Sequence, residues 1–301
     1  MLLSIFWDTL LPIFLIIATG FLLMRQCGVD VRALSLVAFY LFLPCLMFTN
    51  LLQLHLVLTA FAQICLVHVG MVTLLLVCAW MIAWLQAWER PRRNAFMMTS
   101  IMQNVGNYGL PISQFTFGAD GLAIAVLYHA LTTITGNTLG VVLSSAGSTP
   151  LRQAVKALGK TPLLHAIVLA LVCRASALPV PAPLLRSIEL CAHASVPLLL
   201  LILGMQLAQL QISTERAPMA FATLLRLGVS PLFAVLLTSL VGMQGLLRSV
   251  SIIMWSVPTG IAAAALAVQY DCQPRFVAGA IFATTLVSFV TIPLLLLLVL
   301  P

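Results

Sequence analysis

The sequence predicts an all-α polytopic membrane protein of about ten transmembrane helices, arranged as two inverted five-helix repeats with broken fourth and ninth helices. Its composition is the first reason: 62% of the residues are hydrophobic and 7% are charged, against roughly 25% charged in a soluble domain. The second reason is that apolar runs long enough to cross a bilayer follow one another along all 301 residues. The third is a set of proline and polar landmarks that recurs in the same order in both halves.

Ten apolar runs, separated by polar or charged breaks, are the candidate spans. They lie at 2–24, 33–52, 57–85, 94–117, 121–146, 162–178, 186–209, 217–242, 247–269 and 275–299. Each span uses roughly 20–25 residues, so no separate soluble domain fits between them. The sequence therefore predicts a first repeat over 1–146, a cytoplasmic linker over 147–161 and a second, inverted repeat over 162–301.

The first span reads as a mature helix. Between Leu2 and Met24 there is no basic leader and no small-residue cleavage site, and Asp8 interrupts the apolar run. These features are unlike those of a removed signal peptide.

Positively charged loops predict the orientation. The third span ends in Trp80, Trp84 and Trp88, an interfacial aromatic belt that leads into a basic loop. Loops on that side hold ten basic residues: Arg25, Arg32, Arg90, Arg92, Arg93, Arg152, Lys156, Lys160, Arg216 and Arg275. Loops on the other side hold three: Arg174, Arg186 and Arg248. The positive-inside rule makes the richer side cytoplasmic and predicts periplasmic termini in a bacterial inner membrane.

Matching landmarks predict the inverted repeat. Five spans per half mean that the two halves insert with opposite orientation. The pairs, at nearly constant spacing, are Pro44 and Pro197, Pro111 and Pro258, and Asp120 and Asp271.

Two of these landmarks lie in mid-membrane breaks. The run from Gln103 to Pro111 holds two asparagines, two glycines and a proline, a composition that interrupts a helix. Its partner is the run from Ser256 to Gly260 in the ninth span. In lipid, broken backbone persists only where it is buried in protein or lines a cavity. Each proline is expected in the first turn of its second half-helix, where its missing N–H costs nothing.

The crossing of the two breaks is the predicted binding site. Half-helix N-termini carry positive dipole ends and unpaired N–H groups, which together favour an anion. The candidate substrate-binding residues are Asn104, Asn107, Gly109, Pro111, Asn137, Ser256, Pro258 and Thr259. The alternative is that the two prolines merely kink their helices and shape the packing. For Asn137 in the fifth span, hydrogen bonding between helices is an equal alternative.

Three other polar residues lie within the spans. Arg226 is either a substrate counter-charge or a side chain that reaches back to the cytoplasmic interface. His68 and His129 are expected to be packed, neutral histidines rather than proton carriers.

Several segments, taken in order, resemble the auxin efflux carrier family and its bacterial members. They are Pro12-Ile13-Phe14 with Gly20-Phe21, Phe39 to Pro44, Asn104 with Gly109-Leu110-Pro111, Val257 to Gly260, Gln269-Tyr270-Asp271 with Pro274, and Thr291 to Leu295. The resemblance covers essentially the whole chain.

The resemblance implies a fold shared with bile-acid symporters and sodium–proton antiporters. It implies a scaffold of spans 1, 2, 6 and 7, through which a homodimer can form, and a transport unit of spans 3–5 and 8–10 that moves like an elevator. It also implies a small organic anion as substrate, auxin-like or malonate-like, with Asn104 at the position of a substrate-contacting asparagine. The chain lacks the long central hydrophilic loop of the plant carriers, and Thr259 stands where they carry glutamine.

Other classes of function fit the sequence less well. A cation- or proton-coupled symporter or antiporter of the same fold is the main alternative, but it needs a mid-membrane carboxylate, and all seven acidic residues lie in loops or near span ends. Hydrolase motifs are absent, so no enzyme is expected. The seven cysteines are scattered singly, which predicts no metal or other cofactor. The net charge of +7 comes from loop residues facing the lipid surface, so no nucleic-acid partner is expected.

Overall fold

In a computed structural model, the structure describes residues 7, 10–53, 58–176, 178–210 and 215–299. Asp8, which marked the first span as a mature helix, lies outside the described residues. Within them the regular elements are helices, and one isolated antiparallel backbone bridge pairs Gln103 with Thr259. In chain order they are α1 Leu11–Cys27, α2 Val31–Gln53, α3 Leu58–Leu85, α4 Arg90–Ile101, α5 Val105–Ser144, α6 Leu151–Leu158, α7 Pro162–Ala175, α8 Ala182–Gln209, α9 Arg216–Leu240, α10 Gly245–Ser256, α11 Ala262–Gln269 and α12 Pro274–Val299.

Six of the described helices, α2, α3, α5, α8, α9 and α12, are long and apolar enough to cross a membrane. Three shorter helices, α1, α7 and α10, are also apolar. Many large side chains on these helices are exposed and hydrophobic, with Leu298 81% and Leu58 79% exposed. Such surfaces suit lipid rather than water, as the composition predicted.

The longest helix, α5, turns back on itself. At Gly118 the backbone leaves the helical region, with φ 67° and ψ −155°, values that favour glycine. A Cβ atom on Gly106 would lie 2.9 Å from Cε1 of His129. In a straight helix these two residues would be about 35 Å apart, at 1.5 Å per residue. The segment is therefore a hairpin of two antiparallel helices, with its bend between the fourth and fifth predicted spans.

Helix α8 packs against both α1 and α2, and α7 packs against α2. Glycines set the closest approach: a Cβ on Gly20 would overlap the carbonyl oxygen of Leu201, and one on Gly204 would overlap that of Ile17. Small residues at helix crossings allow the backbone contact that replaces hydrophobic driving force in lipid.

The remaining long helices pack around α4 and α10. Fully buried Phe96 and Trp255 contribute large side chains to this core. At one end, Arg92 in the first turn of α4 forms an ion pair with Glu215, directly before α9. The thiol of Cys272 lies 3.6 Å from the carbonyl oxygen of Pro91. Three of the loops predicted to share the cytoplasmic side therefore share one end of the molecule.

Candidate functional site

Two helix breaks meet and pair through their backbones. One lies between α4 and α5, the other between α10 and α11. The backbone N–H of Asn104 donates to the carbonyl oxygen of Pro258 over 2.8 Å. The backbone N–H of Gly260 donates to the carbonyl oxygen of Met102 over 2.7 Å. Gln103 and Thr259 thus form a short antiparallel bridge. Each broken segment satisfies backbone groups of the other, which is what unwound backbone in a membrane requires.

A glycine allows the two segments to cross this closely. A Cβ on Gly260 would lie 2.9 Å from the carbonyl oxygen of Gln103 and 3.4 Å from the nitrogen of Asn104. Because both contacts are with backbone, no side-chain movement could relieve them.

The two prolines differ in their positions. Pro111 lies in the first turn of the regular α-helix that begins at Leu110, after a π-helical turn over Val105–Gly109, so its predicted position holds for the α-helical part of α5. For the second proline the prediction is wrong. Pro258 lies inside its break, before α11 begins at Ala262. The first turn of α5 is capped by Asn104, whose Oδ1 accepts from the N–H of Asn107 over 3.3 Å. A polar side chain caps the helix because its oxygen can accept from a free N–H group. A proline has no N–H of its own but cannot pair the other free N–H groups.

A cavity of about 500 Å³ lies beside the crossing, between α2, α5, α8 and the start of α11. Most of its wall is apolar, with Phe39, Leu199 and Ile202 among the lining residues. Its polar residues are Arg32, Ser35, Gln103, Asn104, Asn107, His129, Thr132, Thr133, Asn137 and Gln206. No aspartate or glutamate is among the described residues that line it.

Five buried polar atoms of the lining residues have no hydrogen-bond partner among the described residues. They are Nε2 and Oε1 of Gln103, Nδ2 of Asn104, Nδ1 of His129 and Oγ1 of Thr132. Gln103 is 4% exposed and Asn104 5%. Since an unpaired buried polar group costs about 1–3 kcal/mol, their concentration in one cavity is typical of a binding site.

Other lining groups are paired. Nδ2 of Asn107 donates to Oε1 of Gln206 over 3.2 Å, and Nε2 of Gln206 lies 3.4 Å from the hydroxyl of Ser35. This chain joins α5 to α8 and α2 across the cavity. The amide of Asn137 donates to the carbonyl of Thr133, one turn earlier in its own helix, over 2.9 Å.

The structure divides the predicted site residues into two groups. Asn104, Asn107 and Asn137 line the cavity. The other five, Gly109, Pro111, Ser256, Pro258 and Thr259, are buried in the crossing and its supports.

The supporting residues have clear packing roles. The hydroxyl of Ser256 donates to Ile252, and that of Thr259 donates to the carbonyl of Thr99. A Cβ on Gly109 would meet the sulfur of Met254 at 3.1 Å.

Sequence reasoning missed Gln103, His129, Gln206 and Ser35 as lining residues. Gln103 carried a usable signal, since it directly precedes Asn104 in the break. His129 lies on the second arm of α5, which the bend at Gly118 brings beside the cavity. Gln206 and Ser35 come from α8 and α2, which meet the crossing only in three dimensions.

Arg226 is neither at the interface nor in the cavity lining. Its side chain is fully buried and donates to three carbonyl oxygens at the ends of α4 and α10. The interfacial alternative is therefore wrong. Among the described residues, no group of three or more His, Cys, Asp or Glu side chains is placed to hold a metal ion.

Broken apolar helices beside a cavity that holds unpaired polar groups are typical of a multi-pass membrane protein of the transporter class. The comparisons with known proteins agree. A family model described as membrane transport protein matches residues 5–153 and matches again at 148–296. The chain belongs to this family, and the predicted family resemblance is confirmed.

Two relatives are also named as transporters. An uncharacterized transporter of Methanothermobacter thermautotrophicus is 27% identical over 296 residues, 95% of this chain and 96% of that protein. The uncharacterized transporter MJ1031 of Methanocaldococcus jannaschii is 25% identical over 205 residues, 66% of each chain.

Proposed function

We propose that this transporter carries a small organic anion, and that the anion binds in the cavity beside the crossing. The observation that carries the proposal is the set of unpaired buried atoms on Gln103, Asn104, His129 and Thr132. Two of these groups are amide donors, which match the oxygens of a carboxylate. The α5 N-terminus, whose residue Gly106 lines the cavity, adds a positive dipole end.

The shape of the cavity supports an organic rather than an inorganic ion. Its unpaired polar atoms lie on Gln103, Asn104, His129 and Thr132, while Phe39, Leu43 and Leu199 supply apolar wall. A ligand that satisfies both regions has a charged head and an apolar body. Auxin-like and malonate-like carboxylates are therefore the substrate classes to test first.

The proposed architecture has ten spans in two inverted repeats. It counts α4 with the first arm of the α5 hairpin as the broken fourth span, the second arm as the fifth, and α10 with α11 as the broken ninth. Two consecutive matches of one family model, at 5–153 and 148–296, support the repeat.

The proposed movement is an elevator, with spans 3–5 and 8–10 sliding against a scaffold of α1, α2, α7 and α8. The cavity lies between these two groups. In such a movement the hydrogen bond from Asn107 on α5 to Gln206 on α8 breaks and reforms.

The proposed orientation puts both termini in the periplasm of a bacterial inner membrane. Arg32, at the exposed start of α2, lines one end of the cavity. With the basic loops in the cytoplasm, that end faces inward. The anion would then meet a positive side chain at the cytoplasmic mouth.

Uptake into proteoliposomes tests the proposal. Purified protein is reconstituted and offered a panel of labelled monocarboxylates and dicarboxylates, with and without imposed proton and sodium gradients. We expect saturable uptake of at least one anion, above that of protein-free vesicles. Transport of cations in exchange for protons, with no carboxylate uptake, would instead favour the antiporter of the same fold.

A further inference from the structure

Arg226 on α9 is a fully buried cation at the crossing. Its Nε donates to the carbonyl oxygen of Val257 over 2.9 Å. One terminal nitrogen donates to Ser100 over 3.1 Å and the other to Trp255 over 3.2 Å. The guanidinium carbon also lies 5.7 Å from the centre of the Trp255 ring. One side chain therefore joins the ends of two separate half-helices.

The three acceptors are carbonyls at helix ends, which have no partner within their own helix. That of Trp255 also accepts from the hydroxyl of Ser230 over 2.6 Å. Ser100 lies in the last turn of α4, Trp255 in the last turn of α10, and Val257 directly follows α10. In a membrane such carbonyls must find a donor or a cation. Clusters of this kind, at the C-terminal ends of broken helices, are the ligands that Na⁺ uses in cation-coupled carriers.

We propose that Arg226 is the built-in cation of this transporter: it occupies the carbonyl cluster that a coupling Na⁺ would need, so transport proceeds without Na⁺. The proposal rests on the anion-carrier function proposed above. It makes Arg226 a positioning residue, since it holds the crossing without lining the cavity. The proposal also predicts that the charge of Arg226 acts on the anion through the two half-helices.

The charges at the crossing show how Arg226 affects anion binding. Each helix end carries about half an elementary charge, negative at the C-terminus and positive at the N-terminus. The guanidinium cancels the negative ends of α4 and α10. The positive ends of α5 and α11 then remain, and none of the described residues that line the cavity beside them is acidic. The net field is that of about one positive charge, which fits a monovalent anionic head.

The first test uses the unmodified protein. Uptake of labelled indole-3-acetate and malonate is measured in sodium chloride and in choline chloride of equal ionic strength. We expect equal rates in both salts, and faster uptake of the monovalent probe when the vesicle interior is positive. Uptake that stops when choline replaces Na⁺, with anion transport otherwise intact, overturns the assignment of Arg226 but leaves the carrier function standing. Failure to take up any anion of the panel overturns the carrier function itself.

The second test compares Arg226→Lys and Arg226→Gln, with Arg174→Gln as the matched control. Arg174 is an exposed arginine in the last turn of α7. Affinity for the transported probe, measured by thermal-shift titration, should fall about tenfold or more in Arg226→Gln and be largely recovered in Arg226→Lys. The control should match the wild type. A purely structural role for Arg226 predicts instead that lysine and glutamine lower the melting temperature equally and leave the affinity unchanged, which would overturn the proposal.

A third test measures the melting temperature while a cation is added, so it also applies to a variant that transports poorly. Millimolar Na⁺ or guanidinium should raise the melting temperature of Arg226→Gln, because the uncovered carbonyls then bind the added ion, and should leave the wild type unchanged. If Arg226→Gln does not fold, the wild-type salt comparison and the affinity of Arg226→Lys decide the question. A Lys variant that folds but binds the probe tenfold more weakly than wild type would contradict the charge argument.

Discussion

Gln103 shows how a residue in the site lowers the stability of the empty protein. The residue is 4% exposed, and both polar atoms of its side chain are buried without a hydrogen-bond partner among the described residues. An unpaired buried group costs about 1–3 kcal/mol. A residue that served only packing would be replaced at little loss by an apolar residue of similar size.

Gln103→Leu should therefore separate binding from stability. We expect the melting temperature of the substrate-free protein to stay level or rise, while the affinity for the transported anion falls. Ser256→Ala is the matched control, because its hydroxyl donates within its own helix, to Ile252 over 2.7 Å, outside the cavity lining. Affinity in Gln103→Leu equal to that of the wild type would remove this side chain from the site.

The sequence could predict part of the site at the scale of residues. Asn104 and Asn107 were identified because two amides in a broken apolar helix need a reason to be there, and both line the cavity. The role of Arg226 could not be predicted, because its acceptors come from two helices that are distant in sequence. A buried arginine and an interfacial arginine look alike in a hydropathy pattern.

Two unwound segments form the central element of the fold. Their glycines and prolines predicted the breaks, but the sequence did not predict that each would pair its backbone with the other. That pairing depends on Gly260, whose missing side chain leaves room for the carbonyl of Gln103. It also explains why Pro258 lies in the break: its carbonyl oxygen accepts from Asn104, and a proline retains that acceptor.

Gly260→Ala should push the two segments apart. The added Cβ would lie 2.9 Å from the carbonyl oxygen of Gln103, closer than real Cβ contacts. Overpacking of this kind costs about 1–3 kcal/mol, so we expect a lower melting temperature and slower uptake at saturating substrate. Gly159→Ala is the control, since its Cβ would meet only the carbonyl of Lys156 at an ordinary 3.5 Å. Wild-type stability in Gly260→Ala would show that the crossing tolerates a wider spacing.

At the scale of the whole molecule, the arrangement of loops agrees with the charge pattern. The ion pair of Arg92 with Glu215, and the contact of Cys272 with Pro91, bring three basic loops to one end. Charge pattern and apolar length predicted this grouping because both are properties of single segments. The close approach of α1 and α8 could not be predicted from the properties of single segments, since it rests on Gly20 and Gly204, two glycines in distant spans.

Reporter fusions test the orientation. Alkaline phosphatase fused after Pro301 should be active, because both termini are predicted to be periplasmic. The same enzyme inserted beside Arg92 should be inactive in the cytoplasm. The reverse pattern would invert the molecule and place the mouth of the cavity at Arg32 on the outer side.

The most direct measurement of the central claim is substrate-induced thermal stabilisation in Asn104→Ala. If the anion binds at the crossing, the variant should bind it about 1–3 kcal/mol more weakly, the range for a buried polar partner left unpaired. Asn107→Ala should show a smaller loss, and Pro111→Ala should lower turnover as well as affinity. Without substrate, Asn104→Ala should remain monodisperse and close to wild type in yield. Stabilisation equal to that of the wild type at every substrate concentration would contradict a site at the crossing and favour the alternative in which the breaks only shape the packing.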